Sequence, residues 1–208
     1  TRLNKVKQDY GPCSVAFYSG YNKWYRPFLQ RLCYDFGSVN YGTESSSCFT
    51  STIMSWRLAT GADFAAPDLR NAGIFLGWCY NAYYAQHLMI GGVDKARERG
   101  MKVIIVDPRI TPAVEKQCDL HLRIKPGTDC ALALGLAQEL IINDWVDHDY
   151  IEKNVYGYEQ YKQYVMDFPP ERVEKLTDVP ADQIRLAARM IHENMPLAIN
   201  QSGAALVH

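Results

Sequence analysis

Three short strand-like segments of this chain each run out into a loop built from ligand-binding residue types, and this pattern constrains the fold more than any other feature. Ala72–Leu76 is followed by Gly77-Trp78-Cys79-Tyr80-Asn81. Val103–Val106 is followed by Asp107-Pro108-Arg109-Ile110-Thr111. Leu120–Ile124 is followed, after Lys125, by Pro126-Gly127-Thr128-Asp129. Open α/β sheets bind ligands outside the carboxyl ends of their strands. Three polar exits punctuated by Gly and Pro therefore point to one nucleotide-like site.

The rest of the pattern agrees with an α/β class in which a mainly parallel sheet is flanked by helices. Val103–Val106 is continuously apolar and rich in β-branched residues, as expected of a strand covered on both faces. Leu120, Leu122 and Ile124 alternate with polar residues, which fits an edge strand. Helices are expected over Lys23–Phe36, where Phe28, Leu32 and Phe36 recur on one face, and over Ser45–Ala59. A further helix over Ala82–Arg99 is interrupted at Gly91-Gly92. Others cover Asp129–Ile142, with Ala133, Leu136, Ala137 and Leu140 as its apolar face, and the stretch after Pro180, with its Ile184, Ala187, Ala188, Ile191 stripe. Residues 72–195 read as a Rossmann-like dinucleotide-binding domain. Residues 1–71 read as part of a second α/β domain, to which a last strand in 197–208 is expected to return.

Composition narrows the function classes. A chain of 208 residues with 48% hydrophobic and 22% charged residues can bury a real core. Its net charge of −1 offers no general attraction for nucleic acid. No uninterrupted apolar run of about 18 residues exists, so no transmembrane helix is expected. The six cysteines contain no Cys-x-x-Cys pair. That spacing speaks against an iron–sulfur or zinc site within the chain, and Cys13, Cys33, Cys118 and Cys130 read as core fillers. The absence of Gly-x-Gly-x-x-Gly after any strand makes a nicotinamide-dependent dehydrogenase a poor fit. The chain starts at Thr1 and ends in an apolar stretch, so it reads as an internal piece of a longer polypeptide, with targeting signals outside it.

The residue chemistry at the exits is specific. A carboxylate accepts two N–H bonds from the Watson–Crick edge of guanine, which makes Asp129 a purine reader at the start of a helix, beside the backbone N–H groups of Gly127 and Thr128. Asp107 at a strand exit suits ribose hydroxyls. Arg109 offers a planar fork for phosphate, and Asn81 offers both a donor and an acceptor. Taken singly, Pro-Gly-Thr-Asp is a turn with a helix cap and Asp-Pro is a turn. The ordered set is what points to binding.

The segments Asp107-Pro108-Arg109-Ile110-Thr111, Cys118–Ile124 and Pro126-Gly127-Thr128-Asp129-Cys130-Ala131-Leu132 resemble the molybdopterin oxidoreductase family, that of dimethyl sulfoxide reductase and the other bis-molybdopterin guanine dinucleotide enzymes. Tyr10-Gly11-Pro12, Gly100–Val103 and Val179–Ile184 match the same family in the same order. The resemblance implies a molybdopterin guanine dinucleotide cofactor carrying molybdenum or tungsten. It implies that Gly77, Asn81, Asp107, Arg109, Thr111, Gly127, Thr128 and Asp129 hold the guanosine end. It also places Cys48, within Glu44–Thr50, where the family's protein ligand to the metal is found. A thiolate is a soft ligand suited to such metals, although a buried helix cysteine is the commoner fate of a free thiol. The parent protein is expected to carry a four-iron cluster whose ligands lie outside this chain, and to work with the remainder of its polypeptide, an iron–sulfur electron-transfer subunit and a small-molecule substrate. The piece alone is expected to be inactive. Two other readings stay open: a non-redox hydratase of the same family, and a respiratory-complex subunit that kept the scaffold without the metal.

Overall fold

A computed structural model describes residues 1–21, 23–47, 49–63 and 66–201. The chain divides into two compact units, the first within residues 1–63 and the second within residues 66–201.

The first unit opens with helix α1 (Arg2–Tyr10), a 3-10 turn (Pro12–Ser14) and strand β1 (Phe17–Ser19). Helix α2 (Arg26–Phe36), strand β2 (Tyr41–Thr43), a second 3-10 turn (Glu44–Ser47) and helix α3 (Phe49–Thr60) complete it. The two strands pair in parallel, with Phe17 opposite Tyr41. The expected helix over Ser45–Ala59 is thus split into a 3-10 turn and α3. Helix α2 stops at Gly37, which is left-handed. The apolar residues Phe28 and Leu32 of α2 lie exposed, while Cys33 is buried and its thiol faces the Ser38 carbonyl at 3.2 Å.

The second unit is a four-stranded parallel sheet. Its strands are β3 (Ile74–Trp78), β4 (Lys102–Val106), β5 (Leu120–Leu122) and β6 (Leu197–Gln201), in the order β5-β4-β3-β6. The chain builds outward from β3 to β5, then crosses back so that β6 lies on the other side of β3. The strand order therefore reverses between β3 and β6, a topological switch point of a doubly wound fold, where ligands characteristically bind. Strand side chains alternate between two cores as their period of two demands. Ile74, Leu76, Ile104, Val106 and Leu122 face one core. It is covered by α7 (Asp129–Ile142), α10 (Pro170–Thr177) and α11 (Ala181–Glu193). Phe75, Val103, Ile105 and Ala198 face the other. That side is covered by α4 (Ala82–Ala85), α5 (His87–Glu98) and α6 (Pro112–Gln117). The short helices α8 (His148–Asn154) and α9 (Tyr158–Val165) connect α7 to α10.

Burial explains the strand assignments. Val103, Ile104, Ile105 and Val106 are all fully buried, so β4 is covered on both faces, and β5 is the edge. The α11 stripe of Ile184, Ala187, Ala188 and Ile191 is buried as its spacing requires.

Five expectations need correction. Strand Leu197–Gln201 does not return to the first unit: it pairs in register with β3, Leu76 opposite Ile199 and Trp78 opposite Gln201. The reason is that β3 is buried and apolar along its length and would otherwise present an unpaired edge. The connector before residue 72 also belongs to the second unit, since Leu69 packs on its core and the Leu69 carbonyl accepts from Arg99 at 2.9 Å. The break in the helical stretch after Ala82 falls at Gln86, not at Gly91-Gly92, which lie inside α5. Gln86 leaves the helical region and its Oε1 accepts from Asn200 on β6 at 2.8 Å, whereas mid-helix glycine costs only about 1 kcal/mol. On α7 the buried residues are Leu132, Gly135, Leu136, Gln138, Glu139 and Ile141, and Leu140 packs on the core, but Ala133 is exposed. Gly135 faces Val173 of α10 so closely that the helices meet there. Likewise Cys13 and Cys130 are exposed rather than core fillers, while Cys33 is buried and Cys118 partly so.

Candidate functional site

The first exit is shaped by a glycine that tolerates no side chain. Gly77 is buried within β3, opposite Ile105 and Asn200. A Cβ there would lie 2.7 Å from Tyr80 Cβ, so the chain can fold back only over a bare backbone. Strand β3 continues two residues beyond the expected Leu76, through Trp78. Cys79 then turns in the left-handed region, φ 51, while its N–H still donates to the Val106 carbonyl at 2.8 Å. Tyr80 is driven beneath the sheet, edge-on to Phe75 at 5.1 Å. Asn81 precedes α4, and its carbonyl accepts from Tyr84 and Ala85. Both amide atoms of its side chain are buried with no partner among the described residues. A buried amide without partners costs about 1–3 kcal/mol per group, so this one asks for an external ligand.

The second exit is an Asx turn. Asp107 is 4% exposed, and its Oδ1 accepts the Arg109 backbone N–H at 2.8 Å. The His121 ring nitrogen Nε2 lies 2.8 Å from the Asp107 carbonyl, which locks the turn to β5. The Arg109 guanidinium stands 3.8 Å from Asp107 and is largely exposed. Thr111 is buried, and its Oγ1 accepts the Val114 N–H at 3.3 Å as the N-cap of α6. The hydroxyl expected to contact a cofactor is thus engaged in capping, which holds the Asp107 loop in place.

The third exit turns at Gly127, φ 81, which only glycine adopts without strain. Both the backbone N–H and the hydroxyl of Thr128 donate to the Lys125 carbonyl, at 3.3 and 2.7 Å. The Thr128 amide expected to face a ligand is therefore used inside the turn. Asp129, the first residue of α7, accepts the indole N–H of Trp78 on Oδ1 at 2.7 Å. This bond ties the third exit to the first across 51 residues of sequence.

Electrostatics place the three exits together. Burial pushes the Cys79 thiol up to about 11, the carboxylates of Asp129 and then Asp107 add to the rise, and Arg109 opposes it. Three charges from the second and third exits thus act on one sulfur at the first, and Asn81 follows two residues later. Asn81, Asp107, Arg109 and Asp129 share the carboxyl edge of the sheet. Trp78, Cys79 and His121, which the sequence motifs did not single out as site residues, join the exits. Nothing local in the sequence signals a bond between Trp78 and Asp129. Cys48 lies outside the described residues. Among the described residues no group of three or more His, Cys, Asp or Glu side chains could hold a metal ion, and no helix is long and apolar enough to cross a membrane.

Comparison with known proteins fits this architecture. The family described as Molybdopterin oxidoreductase matches residues 1–195. The molybdopterin-containing subunit PhsA of thiosulfate reductase from Salmonella typhimurium is 30% identical over 97% of this chain. A formate dehydrogenase alpha subunit from Methanococcus maripaludis is 37% identical over 88% of it. The solved structure of acetylene hydratase from Pelobacter acetylenicus superposes with a TM-score of 0.74 at 26% identity, covering 98% of this chain and 28% of that one. This chain belongs to the molybdopterin oxidoreductase family. It spans about a quarter of the length of these curated relatives, 26% and 28%. Membership implies a pterin cofactor carrying molybdenum or tungsten, and the orphaned Asn81 amide, two residues after the thiol on which two carboxylates and a guanidinium act, belongs to a donor and acceptor set that fits one polar end of such a group.

Proposed function

We propose that the second unit holds the guanosine end of a molybdopterin guanine dinucleotide in a larger molybdenum or tungsten oxidoreductase. The observation that carries this reading is the buried Asn81 amide, without a partner among the described residues, at the carboxyl edge of a parallel sheet whose other two exits carry Asp107 and Asp129. Asn81 supplies a donor and an acceptor that no described residue uses. Asp129 accepts from the guanine edge, Asp107 takes a ribose hydroxyl, and Arg109 reaches outward toward the diphosphate. Gly77 lets the chain fold back against a bare backbone and so sets the loop that carries Asn81, and Gly127 sets the turn that presents Asp129. Thr111 and Thr128 support these loops through their own capping and turn bonds. Cys48 is the residue proposed to ligate the metal. When bound, the cofactor supplies a metal that changes oxidation state and transfers oxygen atoms or electrons. The four-iron cluster, an electron-transfer subunit and the substrate pocket belong to the parent protein.

The test is the guanine nucleotide content of the full-length protein and of its Asn81→Ala variant, measured as GMP released on acid hydrolysis per polypeptide. Wild type should release GMP, and the variant should release several-fold less while being at least as stable when cofactor-free, because two unsatisfied groups are gone. Equal GMP release from both proteins removes Asn81 from the site, and no release from wild type removes the reading.

Acetylene hydratase from Syntrophotalea acetylenica, 28% identical over 95% of this chain, supports a second reading in which the parent enzyme adds water without net redox change. A metal valence change during turnover selects the oxidoreductase, and constant valence selects the hydratase. Protein devoid of molybdenum and tungsten after anaerobic purification selects the scaffold reading instead.

A further inference from the structure

We propose that Trp78 is the positioning residue of the guanine-reading carboxylate: its indole N–H holds Asp129 in the orientation that distinguishes guanine from other purines. The inference rests on the guanosine-binding reading above and names what sets its base specificity.

Trp78 is well placed to fix another side chain. It is the last residue of β3, with Val106 on one flank and Gln201 on the other, so its backbone is held on both sides. Its ring is half-buried against the sheet core. Its only polar atom, Nε1, donates to Asp129 Oδ1 at 2.7 Å. Asp129 needs such support. Thr128 gives α7 no side-chain cap, and Oδ2 has no donor among the described residues. Without the indole the carboxylate would rotate about its first torsion and lose rotamer freedom on binding.

The donor type matters. A carboxylate offers about four acceptor sites, of which the indole uses one. An indole N–H is neutral, so it orients the carboxylate without cancelling its charge, whereas a guanidinium fork would occupy both oxygens. The remaining sites can accept the N1–H and the 2-amino N–H of guanine together. Hypoxanthine presents N1–H and lacks the 2-amino group. Discrimination between them depends on a carboxylate held in the plane that receives both donors. Asp107 differs, because its Oδ1 is held by the backbone of its own turn.

The experiment measures binding of GDP and of inosine diphosphate to the full-length, cofactor-free protein by calorimetry, in wild type, Trp78→Phe and Asp129→Asn. Wild type should prefer GDP by about tenfold, the value of one lost hydrogen bond to a charged group. Trp78→Phe keeps an aromatic ring and deletes the N–H, so the preference should fall to about twofold. Asp129→Asn should lose GDP binding. A merely structural role for Trp78 would weaken both nucleotides alike and leave their ratio unchanged; that result, with Asp129→Asn still deficient, overturns this inference alone. GDP binding that survives Asp129→Asn, or is absent from wild type, overturns the guanosine reading and this inference with it. Should Trp78→Phe fail to fold, the wild-type indole N–H resonance of Trp78 decides. It should shift on GDP addition, and an unmoved resonance overturns the inference.

Discussion

Two neighbouring residues at the β3 exit answer to different forces. Asn81 has amide groups with no partner among the described residues, while Cys79 has a thiol that the fold keeps protonated. For Cys79 the ordinary value is 9.0 and the folded value about 11, raised mainly by burial and then by Asp129 and Asp107. The folded chain thus holds this proton more tightly than the unfolded chain. Its contribution to stability is intact below about pH 9 and is lost as pH rises toward 11. Burial raises Cys118 to about 11 as well. Alkylation of the native protein with iodoacetamide at pH 8 should therefore modify the exposed Cys13 and Cys130 and spare Cys79 and Cys118, as peptide mapping by mass spectrometry would show. Labelling of Cys79 as fast as Cys130 at that pH would contradict the burial described here. At this scale the carboxylates and amide were legible in the sequence, because their chemistry suits a nucleotide wherever the strands place them. The joining residues were not, because Trp78 acts through a partner remote in sequence.

Among elements, α6 shows how a short helix holds the Asp107 loop. It spans six residues, too few to persist without help, and Pro112 and the Thr111 cap set its start. Thr111→Ala should cost about 1 kcal/mol in denaturant unfolding of the second unit, and Thr111→Ser should restore most of it. A neutral Thr111→Ala would mean that Pro112 alone suffices. Element types were readable from periodicity: the fully apolar β4 and the four-residue stripe of α11 stand where their patterns put them. Element boundaries were less so. Gly91-Gly92 looked like a break, yet α5 passes through both, and the real break at Gln86 answers to a contact with Asn200 on β6. The face of α7 was read only in part: Leu136 and Leu140 meet the core and Ala133 does not, since high apolar content leaves several faces plausible and the contact of Gly135 with Val173 fixes one side.

For the molecule as a whole, stability of the second unit is concentrated in the two strands buried on both sides. Native-state hydrogen exchange should find β3 and β4 slowest and the edge strands β5 and β6 faster. Ala198→Glu should place a charge in the second core, where Ala198 is 6% exposed, and cost about 3 kcal/mol or more. The backbone amides of Ile74–Trp78 should then exchange faster; unchanged exchange there would show that β6 does not secure β3. The sequence by itself determined the α/β class, the parallel strands and the three chemically loaded exits, because apolar periodicity and turn chemistry are local properties. It also determined the family, through motifs kept in order. Only the tertiary structure decided that β6 joins β3, that Trp78 grips Asp129, and that Asn81 is left with no partner among the described residues. Each of these depends on which distant segments meet, and burial across the whole sheet, not local propensity, selects that pairing.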